Sequence, residues 1–155
     1  MALSAFLAAC GGSGVRTSEC ALEGRDYEVP AEEVEHSCSH QSEGPYGEVA
    51  DGDELLNLHM LYTVTLSPTD DGRFAGRYPF TARKTSTHVF YVFGDAPLAY
   101  EDASGEGLCV AGTIDEADCD GLDRIELVDL EEGQTIELVV GPYDAPEVEL
   151  VLERK

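Results

Sequence analysis

Positive charge is what this 155-residue chain has least of. Nine Lys and Arg stand against 32 Asp and Glu, a formal net charge of −23. So negative a surface repels phosphate backbones and anionic headgroups, which excludes nucleic acid as a partner. It suits a bound cation, a basic partner or life in high salt, although solvation alone accounts for it. Long apolar runs are missing as well, and none after residue 10 approaches the length that spans a bilayer. Apolar spacing at the helical period never extends beyond about ten residues, which argues against an α/β fold. The motifs of common enzymes are absent too: there is no G-x-S-x-G, no H-E-x-x-H, no C-x-x-C-H and no phosphate loop. No nucleophile or acid/base set converges, and the chain is expected not to be an enzyme. A blue-copper site fails in the same way. Cys109 and Cys119 have no His after them, and Met60 is the only internal methionine.

What is present is a globular composition, 43% apolar, in a length suited to one domain with a core. Pro30 to His36 carries acids behind a proline and predicts one or two helical turns. From His59 onward the chain reads as successive strands. Met60, Tyr62, Val64 and Leu66 alternate onto one face, and Phe74 to Ala82 follows with Pro79 marking an edge. Thr87 to Phe93 is nearly all apolar and should cross the core. Leu98–Glu101, Leu108–Ala111, Arg124–Leu130, Thr135–Val140 and Val148–Leu152 complete the set, separated by Gly, Pro and Asp turns. Short strands at this spacing predict an all-β fold, a single antiparallel β-sandwich of jelly-roll or Greek-key type. The expected organisation is an export-signal remnant over 1–9, a tether over 10–24, an irregular Cys/His segment over 25–57 and the sandwich over 58–155.

The N-terminus sets the compartment. Met1 to Ala9 is uncharged and apolar, and Leu7-Ala8-Ala9-Cys10 resembles the lipobox of bacterial lipoproteins. That resemblance implies cleavage before Cys10, its acylation (diacylglycerol plus an N-acyl chain such as palmitate), and membrane attachment without a spanning helix. Gly11-Gly12-Ser13-Gly14 reads as the tether behind the anchor. Gly11, where the family's sorting rule reads Asp as a retention signal, implies the outer membrane of a Gram-negative cell. The apolar run is short and lacks a preceding Lys or Arg, so the expected natural start lies upstream. With Cys10 acylated, Cys20, Cys38, Cys109 and Cys119 form an even set, as disulfides in an exported chain require. Three pairings are open. Nearest neighbours, Cys20–Cys38 and Cys109–Cys119, are expected because each closes a short local loop.

Two clusters are candidate ligand sets. In Glu35-His36-Ser37-Cys38-Ser39-His40, a helical turn aligns His36 with His40, and an extended segment aligns both with Cys38. Either geometry offers two imidazoles to Zn or Cu, with His59, His88 or Glu35 completing the shell. Two exposed loop histidines beside a disulfide, with His88 packed at a strand end, is the alternative. The acidic loop 115–123 offers Asp115, Asp118 and Asp120 to Ca. It is not an EF-hand. Aligned on Glu116, Asp118, Asp120 and Gly121, such a loop needs an acid where Leu127 stands.

Val128-Asp129-Leu130-Glu131-Glu132-Gly133-Gln134-Thr135-Ile136-Glu137-Leu138-Val139-Val140 is similar to the L-x-x-G-x-Y-x-L-x-V signature of bacterial pre-peptidase C-terminal domains. Those are small β-sandwiches used for adhesion, docking or solubility. This chain departs from them in having Thr135-Ile136 where an aromatic is common. The resemblance implies a non-catalytic binding or structural module, here lipid-anchored at the cell envelope, with an envelope protein or a glycan as candidate partner. A metal-binding envelope lipoprotein using the His36/His40 segment is the alternative function.

Overall fold

The computed structural model describes residues 15–115 and 119–155. The lipobox, with Cys10, lies outside them. In chain order the elements are β1 (Arg16–Thr17), α1 (Ala31–Glu43), β2 (Tyr46–Ala50), β3 (Leu61–Thr65), β4 (Ser67–Pro68) and β5 (Phe74–Thr81). There follow β6 (Ser86–Phe93), β7 (Leu98–Asp102), β8 (Gly112–Ile114), β9 (Leu122–Leu130), β10 (Thr135–Tyr143) and β11 (Glu147–Arg154).

The strands form two packed sheets. One is seven-stranded, in the order β1-β8-β9-β6-β11-β3-β2, and the other four-stranded, β4-β5-β10-β7. Alternation along each strand explains the packing. Val64, Tyr78, Phe80, Phe90, Val92, Leu138, Leu150 and Leu152 point between the sheets and are buried there. The outer face of the small sheet is polar, with Arg77 of β5 held to Glu101 of β7 at 2.7 Å. Central β6 is buried at every position, as its unbroken apolar run demands.

The outer face of the large sheet is covered too. Val89 and Tyr91 of β6, Ile125 and Leu127 of β9 and Val151 of β11 form a second apolar cluster. Tyr27 belongs to it, and Val34 and Cys38 of α1 pack against it. The molecule is therefore layered: an N-terminal helical cover, a seven-stranded sheet and a four-stranded sheet.

Several expectations need correction. The helix is longer than two turns, because Glu32 and Glu33 suit its first turn, and Gly44, with φ of 71°, ends it. Residues 15–24 are not a free tether: β1 pairs with β8, and Ser18 N donates to Ala111 O at 3.0 Å. The segment 25–57 holds α1 and β2 rather than irregular chain. Pairing is mostly antiparallel, but β2 lies parallel to β3, since the connection over 51–60 crosses to β5, where Gly52 N and Leu55 N donate to Arg77 O and Pro79 O, before β3 begins. The brief strand expected at Leu108–Ala111 sits instead at Gly112–Ile114. Pro79 does face a strand-free side: its carbonyl accepts from Leu55 N at 2.8 Å while β10 pairs along the other edge.

The disulfides are Cys20–Cys109 and Cys38–Cys119, spanning 89 and 81 residues. Nearest-neighbour pairing is thereby overturned. Strand register, not sequence distance, decides which thiols meet: β1 against β8 brings Cys20 beside Cys109, and α1 lying on the sheet brings Cys38 to the loop before β9. Each bond now closes a long loop, and each contributes about 4–5 kcal/mol in the chain-entropy picture.

Candidate metal centre

Helix α1 sets His36 and His40 one turn apart on the same face, their ring centroids 4.9 Å from each other. Beneath them lies Glu153. Its strand, β11, sends Val148, Leu150 and Leu152 between the sheets, so Val151 and Glu153 point to the face that α1 covers. A carboxylate is thus held under a helix on an otherwise apolar surface, with only 8% of the residue exposed. Among the described residues, His36, His40 and Glu153 are the one His/Cys/Asp/Glu group whose ligand atoms all lie within 4.8 Å of one another.

The hydrogen bonding fixes the chemistry of His40. Its Nδ1 lies 2.6 Å from Gly44 O. A carbonyl only accepts, so Nδ1 donates to it and Nε2 is the ring atom turned toward Glu153. That Nε2 stands 3.7 Å from Glu153 Oε1. Both atoms are buried and neither has a hydrogen-bond partner. A carboxylate oxygen and a ring nitrogen buried this close, without hydrogen bonds, call for a positive charge between them, a proton or a metal ion. The gap exceeds a hydrogen bond and is close to the ~3.4 Å edge of a tetrahedral site with ligand bonds of about 2.0–2.1 Å. The Nδ1–H to carbonyl bond is also the outer contact that metal-bound imidazoles make.

His59 approaches from the loop before β3. Its Nδ1 pairs with the other carboxylate oxygen, Glu153 Oε2, and its ring lies 6.2 Å from that of His36. The backbone there is unusual: φ is 56°, and His59 N donates to Leu152 O at 2.9 Å. This left-handed backbone, uncommon for a non-glycine residue, sets the His59 ring against Glu153. Next to the ligands opens a cleft of about 220 Å³, lined by His36, His59, Glu153, Ser37 and Tyr91. Burial pushes the Tyr91 hydroxyl up to about 12, partly offset by Ser37. The ion would therefore have protein on one side and an open position on the other.

The helix thus unites His36 with His40 and brings His59 to the same carboxylate. Glu35 points away into solvent, and Cys38 is consumed in a disulfide. His88 is not in this site: it is buried in β6 on the opposite face of the sheet, against Phe80. The missing ligand was Glu153. Its signal lay in Val151, an apolar residue at the solvent-facing parity of β11, which marks that face as covered and the next acid on it as buried. The calcium expectation gains nothing here. Asp115 is taken by Arg16, Asp120 is exposed, and Asp118 lies outside the described residues.

No family model matches this chain, and no curated protein is significantly similar to it.

Proposed function

We propose that this protein binds a divalent transition metal, Zn or Cu, through His36, His40 and Glu153, with His59 as the fourth contributor. The observation that carries the reading is the pair of buried polar atoms without hydrogen bonds, His40 Nε2 and Glu153 Oε1, facing each other across 3.7 Å beside two further imidazoles. Two imidazoles and one carboxylate are borderline ligands that suit Zn and Cu better than Ca or Mg. The role proposed is binding rather than catalysis.

The setting is the cell envelope. Two disulfides support an oxidising compartment. The lipobox resemblance at Leu7-Ala8-Ala9-Cys10 supplies the anchor, through acylated Cys10 at a Gram-negative outer membrane. Among the described residues no helix is long and apolar enough to cross a membrane. The sandwich would then present a metal site at the membrane surface, either sequestering the ion or using it to dock an envelope protein or a glycan.

Purification without chelators, followed by elemental analysis, tests the metal; intact mass of the membrane-extracted protein tests the lipid. Near-stoichiometric Zn or Cu that disappears in His40→Ala is expected, together with an acylated Cys10. A folded protein that takes up neither metal in a titration contradicts the first claim. An unmodified Cys10 contradicts the second.

A further inference from the structure

A second polar recess lies on the other side of the large sheet, at one end of the space between the sheets. Ser86 and His88 of β6 and Arg154 of β11 share the inward parity of Phe90 and Leu152, and Arg154 is the direct cross-strand neighbour of His88. Phe80 of the small sheet packs its ring edge-on to His88 at 5.3 Å. The segment Leu56–Leu58 and Arg83 close the sides, leaving a cavity of about 170 Å³.

His88 is only 1% exposed, yet half its hydrogen-bonding capacity is unused. Nδ1 sits 3.2 Å from Ser86 O and so donates to it, while Nε2 has no partner. Burial lowers the pKa of the ring, which keeps Nε2 a bare acceptor. A buried acceptor lining a cavity calls for a donor within that cavity.

The two arginines supply the other half of the recognition. Arg16, Arg73, Arg77, Arg124 and Lys155 each hold a carboxylate. Among the described residues Arg25, Arg83, Lys84 and Arg154 hold none, although acids outnumber cations 32 to nine in this chain, and of these four Arg83 and Arg154 line the recess. Arg83 gives one N–H to Leu56 O at 3.1 Å and keeps the rest of its fork free. Guanidinium forks at a recess select a carboxylate in two-pronged fashion. The overall charge of −23 opposes anions at a distance, but salt at physiological strength screens it beyond ~8 Å, so the two local cations decide.

We propose that this recess binds a small hydroxycarboxylic acid. Its carboxylate meets Arg83 and Arg154, its hydroxyl donates to His88 Nε2, and its short carbon chain lies on the edge of Phe80. A recess of this size suits an acid of three to five carbons. His88 and the metal centre lie on opposite faces of the large sheet, and Arg154 at the end of β11 lines both cavities.

Malate and lactate, with their deoxy counterparts succinate and propionate, are the probes. Titration is followed by the ¹⁵N resonances of the histidine rings, on full-length protein stripped of divalent metal so that chelation plays no part. Malate or lactate should shift His88 Nε2 and bind at least tenfold tighter than its deoxy counterpart. Arg154→Gln and Arg83→Gln, both at surface-accessible side chains, should each weaken binding tenfold or more. Absence of any His88 shift overturns the proposal. So does equal binding of malate and succinate, or sulfate that binds as tightly as malate, since neither needs a hydroxyl at His88.

Discussion

At the scale of single residues, the argument rests on groups whose polar demands the fold leaves open and on others whose demands it meets. Glu153 belongs to the first kind. Its nearly buried carboxylate is met by the exposed His59 ring and by His40 Nε2 at 3.7 Å, beyond hydrogen-bond reach, so Glu153→Gln should leave the metal-free protein about as stable as the parent. The same change should abolish the rise in melting temperature on adding Zn, which for the parent corresponds to about 2.7 kcal/mol at a free metal concentration a hundred times Kd. Paired thermal melts, with and without metal, separate the two effects. Glu126 is of the second kind. Tyr100 donates to its Oε2 at 2.8 Å, and Arg124 Nε to its Oε1 at 2.6 Å, while Arg124 also reaches Ala96 O at 2.6 Å. Glu126→Gln removes the more buried of the two carboxylates that Arg124 holds, leaving the more exposed Asp123 at 3.2 Å, and should cost about 3 kcal/mol in a denaturant titration. A loss below about 1 kcal/mol would mean that water replaces the carboxylate there.

At the scale of elements, α1 is a short polar helix that would not persist alone. Its place on the sheet is secured by Cys38–Cys119 and by Val34 against the outer cluster. Cys38 lies between His36 and His40 in sequence, so this disulfide sets the height and roll of the helix above Glu153. Cys38→Ser/Cys119→Ser should therefore weaken metal affinity at least tenfold, whereas Cys20→Ser/Cys109→Ser should lower stability with affinity retained. Calorimetry on both double variants checks the difference, and equal affinities would detach the helix from the site. The elements also show what could be read beforehand. Alternation at Met60–Leu66, the apolar run at Thr87–Phe93 and the Gly- and Pro-rich turns made a sandwich legible, because each is a local signal. The His36/His40 pair was legible for the same reason. Glu153, the parallel β2 and both disulfide pairings were not, since they depend on which distant segment lies over the outer face of the large sheet. A polar helix with acids in its first turn gives weak periodicity, and it hides that cover.

At the scale of the whole molecule, three large tyrosines fill the cores. Burial raises the hydroxyls of Tyr78 and Tyr100 above the usual phenol range and that of Tyr91 to about 12. The folded state holds these protons more tightly than the unfolded chain, whose phenols ionise near 10. Their contribution to stability is then complete below pH ~10 and lost as pH climbs from there towards the folded values. Alkaline unfolding should begin above pH ~10, with tyrosine ionisation by ultraviolet absorbance following the loss of β-structure rather than preceding it. Phenol ionisation at intact circular dichroism would contradict the burial of these side chains.

The central claim is that the buried polar atoms of α1 and β11 share a metal ion. The most direct test is isothermal titration of chelator-treated protein with Zn and with Cu, with the His36→Ala, His40→Ala and Glu153→Gln variants measured beside it. One equivalent bound by the parent, and none or far weaker binding in each variant, is the predicted result. A parent that binds no metal, or variants that bind as the parent does, would show that His40 and Glu153 face each other for some other reason.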